Sequence, residues 1–210
     1  MTSSPSRMVW RQEHVVDVRD AAFAARTYLE HRDLRDLLKG AVGDRTLPSA
    51  CEVGAGFGRM TVVLTEFFDE VVGFEREGHF VSEAASLLPA IRFKQVDALD
   101  HLPAANASFD GVLTFTVLQH LTDSVAAGTA SEIARILKPG GHLVICEETD
   151  SGHRAGDIDD PTGTCTIGRT LEQYQRLFPG FTLLTTRPRR IEPTYPRPDV
   201  GTFMVFRKSA

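Results

Sequence analysis

Cysteine is scarce and unpatterned in this chain. Cys51, Cys146 and Cys165 are the only three, odd in number and far apart, with no CxxC spacing. That excludes a disulfide framework or a zinc ribbon and reads as free thiols in a reducing compartment. Long apolar runs are missing too: every one is broken by charge well short of the roughly 20 residues that a membrane helix needs. The N-terminus has no apolar segment followed by a small-residue cleavage site, so a cytoplasmic location is expected and a membrane is not. Positive charge is not in excess. At a formal net charge of −5 the chain has no global attraction for a polyphosphate, and nucleic acid is not expected as its main partner. Low-complexity blocks are absent as well, which excludes collagenous, mucin-like and disordered classes. What remains is an ordinary globular composition, 42% hydrophobic and 24% charged over 210 residues, enough for one domain with a normal core.

The main pattern is an alternation of strand-like and helix-like segments. Residues 9–40 carry apolar side chains at three- and four-residue steps, with a break near Asp20 and a stop expected at Gly40. This N-terminal helical segment, residues 1–47, is expected to cap a domain spanning 48–210. Strands are expected at 50–53, 70–74, 91–96, 109–115 and 142–146, with helices at 59–68, 79–88 and 124–137 between them. Such a series implies a doubly wound α/β fold: a mostly parallel sheet of seven strands with helices on both faces. A helix over 170–178 precedes strands at 181–187 and 202–206. The loop joining those two holds Pro188, Pro193, Pro196 and Pro198 and is too short for a crossover helix. The last strand is therefore antiparallel.

Glu52-Val53-Gly54-Ala55-Gly56-Phe57-Gly58 leaves the first strand and enters a helix. In open α/β sheets ligands bind beyond the carboxyl ends of the strands, where glycines allow close backbone approach, so this loop is a candidate cofactor cradle. Glu75 ends the second strand, where a carboxylate can accept hydrogen bonds from both hydroxyls of a ribose. Asp97 closes the third strand and can accept from an adenine amino group. A dinucleotide-binding oxidoreductase is the competing reading. Its GxGxxG fingerprint fails here, since Arg59 stands where the third glycine belongs.

These residues resemble the class I (Rossmann-like) S-adenosylmethionine-dependent methyltransferases. Cys51 to Gly58 looks like that family's first motif, Val72-Gly73-Phe74-Glu75 like the second and Val96-Asp97-Ala98 like the third. Phe109 to Leu121 is similar to its fourth strand and the helix after it, and Ile136 to Leu143 to the turn before the fifth strand. The resemblance covers roughly residues 48–148 and extends to the closing strand pair. It implies S-adenosyl-L-methionine as cofactor, with Gly54, Ala55 and Gly56 under the methionine moiety and Glu52 supporting that loop. Glu75 would hold the ribose, Arg76 flank the adenine, Asp97 and the Ala98 backbone bind the adenine edge, and Thr114 and Phe115 line the cofactor.

Methyl transfer from a sulfonium is an in-line displacement whose main requirement is alignment, and a base is needed only for some acceptors. His120, just beyond the fourth strand, is the candidate base; a cap or structural hydrogen bond is the alternative. His153 lies in an acidic segment, 147–160, expected to border the acceptor pocket. Those acids read as a solvated loop, and no metal is expected. The proline-rich loop carries Arg187, Arg189, Arg190 and Arg197 with Tyr195; Arg190 and Tyr195 are the candidates for docking an anionic group of the acceptor. Trp10, Phe23 and Tyr28 are candidates for a lid, and Arg26 for the methionine carboxylate. The expected reaction is O-, N- or C-methylation of a small-molecule acceptor by a monomer or homodimer. The alternatives are a nicotinamide-dependent oxidoreductase and a catalytically silent regulatory partner with the same fold.

Overall fold

The computed structural model describes residues 21–157, 165–191 and 201–210. Trp10, Tyr195, Arg197 and the first stretch of the N-terminal helical segment lie outside the described residues. In chain order the elements are α1 (Ala21–Val42), β1 (Leu47–Val53), α2 (Thr61–Leu64), β2 (Phe68–Glu75), α3 (Gly78–Leu87), β3 (Arg92–Gln95) and β4 (Phe109–Phe115). A 3-10 turn, Leu118–His120, precedes α4 (Asp123–Ile136) and β5 (Leu137–Glu147). The chain continues through β6 (Arg154–Ala155), β7 (Thr166–Ile167), α5 (Leu171–Leu177), β8 (Phe181–Pro188) and β9 (Thr202–Lys208).

Seven strands form one sheet in the order β3-β2-β1-β4-β5-β9-β8. The pairs from β3 to β5 are parallel, and β9 runs antiparallel to both β5 and β8. The expected doubly wound sheet with an antiparallel last strand is the observed architecture. Period-two alternation divides the strands between two cores. Cys51, Val53, Val72, Phe74, Val112, Leu143, Ile145, Met204 and Phe206 face α4 and α5, meeting Ala130, Ile133, Ile136, Tyr174 and Phe178. Ala50, Val71, Leu113, Val144, Phe203 and Val205 face the other way, against Leu34, Leu37 and Leu38 of α1 and Val63 and Leu64 of α2. The sheet order reverses between β1 and β4, which is where an open α/β sheet forms its ligand crevice.

Beyond shifts of one to three residues at element ends, the elements differ from the sequence reading at four places. α1 runs through Gly40 and stops at Gly43, whose φ of 73° suits an amide donating back to the Lys39 carbonyl at 2.9 Å. α2 is a single turn, not the helix expected over 59–68. Its β-branched Thr61, Val62 and Val63 are poor helix formers, and the chain tightens into i→i+3 bonds at Thr65, Glu66 and Phe67 before β2 begins. β5 begins at Leu137, with a register shift opposite Phe109–Gly111, where only a turn was expected before residue 142. The β6–β7 pair was not anticipated; each strand has two residues, below the length at which alternation registers. Among the described residues no helix is long and apolar enough to cross a membrane.

Candidate active site

At the carboxyl end of β1 the backbone turns sharply over the sheet. The Gly54 and Ala55 amides both donate to the Phe74 carbonyl of β2, at 2.9 and 3.0 Å. Gly54, Gly56 and Gly58 all have positive φ, the region that side chains disfavour. A Cβ at Gly54 would stand 2.5 Å from Val117 Cγ2, so the loop after β1 and the corner after β4 touch at the switch point. A Cβ at Gly56 would meet nothing within 4 Å. Glu75 fixes this open loop from the next strand: one oxygen accepts the Gly56 amide at 2.8 Å and the other those of Arg76 and Glu77 at 2.7 and 2.9 Å. Glu75 is buried apart from 8% of its surface, and the oxygen that accepts only the Gly56 amide keeps acceptor capacity for a ligand's hydroxyls.

The other candidate cofactor residues surround this rim. Asp97 is exposed one residue past Val96, whose amide donates to the Glu75 carbonyl at 2.9 Å, and Ala98 is half-buried beside it. The Arg76 guanidinium reaches Glu77 at 2.9 Å. Glu52 lies beneath the loop, fully enclosed, accepting from the Thr61 hydroxyl; burial pushes its carboxyl up to about 8. Thr114 does not open onto the crevice: it is buried, with its hydroxyl 3.4 Å from Glu147. Phe115 is buried under two guanidiniums, Arg59 and Arg189, at 5.0 and 4.9 Å from its ring centre.

The corner after β4 contains the sequence's candidate base. Thr116 adopts φ 53°, a genuine outlier for a β-branched residue, and its amide donates to the Cys146 carbonyl. His120 Nδ1 contacts the Cys165 carbonyl, which can only accept, so that nitrogen carries the proton. Its Nε2 faces Gln119 Nε2 at 3.2 Å; Gln119 Oε1 accepts the Glu148 amide, which leaves the Gln119 amino group to donate to His120. Burial pushes the imidazole down to about 4, so it is neutral at physiological pH.

The expectation of a solvated acidic loop is corrected at its start. Glu147 and Glu148 are buried, not solvated. Glu147 accepts the amides of Val117, Leu118 and Gln119 at 3.0–3.1 Å. His153 is half-buried; its amide donates to the Asp150 carbonyl and its carbonyl accepts from Gly168. Among the described residues no cluster of three metal-ligating side chains occurs.

The arginines of the β8 exit and the acids of α1 answer one another. Arg187 and Arg190 both reach buried Asp33, and Arg187 also reaches Asp36 at 3.2 Å. Arg190 thus fastens α1. Buried Glu30 gathers Arg26 at 3.1 Å, Arg189 at 2.6 Å and Arg59, whose guanidiniums hold its carboxyl down at about 2 against the burial that opposes them. Phe23 lies under the Arg59 guanidinium, whereas Tyr28 is largely exposed. An open groove of about 450 Å³ follows α1 along Phe23, Thr27 and His31, and the His31 ring touches the Arg59 carbonyl at 2.7 Å. Sequence reasoning missed Glu30, Asp33, Glu147 and Arg169. Their partners lie up to 159 residues away, and each stands among other polar or charged residues whose local composition suggests solvent.

The fold and this rim define a Rossmann-like α/β protein with a glycine loop and two acidic strand ends at the switch point of its sheet. A family model described as a methyltransferase domain matches residues 51–145. The O-methyltransferase cnsE of Penicillium expansum is 36% identical over 123 residues, 53% of this chain and 44% of that protein. The demethylmenaquinone methyltransferase of Beutenbergia cavernae is 32% identical over 119 residues, 57% of this chain and 47% of that protein. The chain spans less than half the length of either relative. Among solved structures, the N-methyltransferase NodS of Bradyrhizobium japonicum, in complex with S-adenosyl-L-homocysteine, superposes with a TM-score of 0.67 at 17% identity, covering 92% of this chain and 91% of that one. A SAM-dependent methyltransferase of Methanosarcina mazei gives 0.70 at 16% identity, covering 82% of this chain and 97% of that one. Residues 51–145 of this chain thus match a methyltransferase domain, carried on the Rossmann-like α/β fold that these solved structures share.

Proposed function

We propose that this chain transfers a methyl group from S-adenosylmethionine to an oxygen, nitrogen or carbon atom of a small-molecule acceptor. The observation that carries the reading is the open, positive-φ Gly56 fixed by Glu75 at the topological switch point. The residues present fit the cofactor. Glu75 holds the ribose hydroxyls with its outward lone pairs, Asp97 and the Ala98 backbone meet the adenine edge, and Arg76 covers the adenine with its stem. Gly54, Ala55 and Gly56 run along the methionine portion, with Glu52 as the buried support beneath them and Phe115 behind. Bound there, S-adenosylmethionine supplies a methyl sulfonium that is already activated, so alignment is the main demand on the protein.

His120, Gln119 and His153 stand on the acceptor side. His120 is neutral throughout the physiological range, and its basic nitrogen is Nε2, which exchanges the Gln119 amino group for an acceptor hydroxyl when one is present. Arg190 serves this side by tying α1 to β8. The O-methyltransferase and demethylmenaquinone methyltransferase relatives support a small acceptor.

The test is calorimetric titration with S-adenosylhomocysteine, followed by a mass-spectrometric screen of small acceptors for the gain of one methyl group. Binding together with a methylated product is expected. No binding overturns the reading, and binding without turnover across the panel favours the silent regulatory partner. With an acceptor in hand, His120→Ala is expected to slow turnover while leaving S-adenosylhomocysteine affinity within about threefold; an unchanged rate at saturating acceptor removes the ring from the chemistry.

A further inference from the structure

The corner after β4 is gripped from both ends by buried side chains of opposite charge. At its amide end, Glu147 takes three successive donors: one oxygen accepts Val117 and Leu118 and the other Gln119. At its carbonyl end, the buried Arg169 guanidinium donates to Leu118 O at 2.8 Å and to Leu121 O at 2.7 Å, and pairs with Asp123 Oδ1 at 2.8 Å. The neighbours are tied in as well. The Arg169 amide and the Tyr174 hydroxyl both donate to the Glu148 carbonyl, and the Glu148 amide donates to Gln119 Oε1. Two buried ionic side chains spent on six residues of backbone is a large desolvation cost for a surface loop. The strained Thr116 at the entrance shows that this corner would relax without such support.

The geometry points to Glu147 and Arg169 as positioning residues for methyl transfer, a role that rests on the crevice reading above. They hold residues 116–121 in the one conformation that serves both sides of the crevice. On one side Val117 fills the notch left by the missing side chain of Gly54, backing the cofactor loop. On the other, Gln119 and His120 face the acceptor with the imidazole fixed as its Nδ1–H tautomer against the Cys165 carbonyl. The clamp couples the two sites: loosening it disturbs cofactor affinity and ring orientation together, although neither residue need touch either ligand.

Glu147→Gln is the direct test, because one of its two acceptor oxygens becomes an amino group facing a backbone N–H. Three readouts are expected to move. Hydrogen exchange at Val117, Leu118 or Gln119 accelerates at least tenfold, the His120 ring nitrogens shift in ¹⁵N NMR from one tautomer to a mixture, and S-adenosylhomocysteine binds at least fivefold more weakly. A folded variant with wild-type ring signals and affinity overturns the clamp. Arg169→Lys attacks the other end, keeping the charge but losing the fork, and is expected to move the ring signals and affinity in the same direction by two- to threefold. It carries the test if Glu147→Gln does not fold, and unchanged signals in it then overturn the proposal. Should the wild-type protein fail to bind S-adenosylhomocysteine, the crevice reading falls, and the clamp is decided by the amide and ring signals alone.

Discussion

Glu75 and Glu147 end two parallel strands of the same sheet, and each accepts three backbone amides. At the end of β2 two of the donors, Arg76 and Glu77, follow the glutamate directly, the third comes from the glycine loop, and the residue keeps 8% of its surface exposed. At the end of β5 all three donors come from another element, and the carboxylate is wholly enclosed. The first arrangement leaves lone pairs for a ligand. The second uses its capacity on the protein itself, and burial pushes Glu147 up to about 7 despite the amides that pull the other way. Equal chemistry thus serves opposite ends: the glutamate at the rim is the one proposed to bind, and the enclosed one holds the backbone of its own fold.

The comparison breaks most visibly on removal of the enclosed acid. Glu147→Ala leaves three N–H groups without an acceptor, one at buried Leu118 and two at half-buried Val117 and Gln119; at about 1–3 kcal/mol for each that water does not reach, a loss of roughly 2 kcal/mol or more is expected in urea unfolding. A loss below about 1 kcal/mol would mean that water replaces the carboxylate, and the contrast with Glu75 would fail. The pH dependence follows from the same group. Folding raises its pKa from 4.5 to about 7, so the folded state holds the proton more tightly. Its contribution to stability is full below pH 4.5 and is lost as pH rises through 7. Glu52 has the same sign, while Glu30 and His120, with lowered pKa values, lose stability as pH falls. Subtracting the Glu147→Gln stability curve from the wild-type curve isolates the group: the difference should decline between pH 4.5 and 7 and then level. A difference that rises over that window contradicts the assignment.

The rim acid is expected to show the reverse balance. Glu75→Ala weakens S-adenosylhomocysteine at least tenfold by calorimetry, about 1.4 kcal/mol, with a smaller loss of folding stability than Glu147→Ala because its three donors are all half-buried, whereas Glu147 also satisfies buried Leu118. Unchanged affinity would remove Glu75 from the ribose role and leave it a loop brace like its counterpart.

Why one acid could be read from the sequence and the other could not is a matter of range. Glu75 follows a strand pattern and stands about 20 residues beyond a glycine turn, a spacing that carries its own geometry. The parallel strands, the glycine loop and the antiparallel last strand were legible for the same reason, since alternation and turn residues are local signals. Glu147 sits at the head of a run of acids, where local composition suggests solvent; only the partners brought by β4 across 28–30 residues make it a buried acceptor. The arginines at the end of β8 read as a patch facing an anionic acceptor for the same reason. Asp33, which binds two of them, is 154 and 157 residues distant. Helix ends were misplaced where two signals competed, as with Gly40 and Gly43, and the β-branched run after Thr61 gave up its helix to local propensity.

The finest probe of the contrast is a single methyl group at Gly56. Its φ of 54° costs a side chain roughly 1 kcal/mol, and no atom lies within 4 Å of the added Cβ, so Gly56→Ala should fold with a loss of about that size. The open space belongs to the Glu75 side of the crevice, because the Gly56 amide is the one that Glu75 anchors across the loop. A ligand lying there must meet the new methyl, and S-adenosylhomocysteine affinity should fall about fivefold by calorimetry. At Gly54 the same methyl would run into Val117 instead and report on the corner that Glu147 holds. A Gly56→Ala protein that loses that stability but binds with wild-type affinity would mean that the loop braces its own turn and that the amino-acid portion of the ligand lies elsewhere.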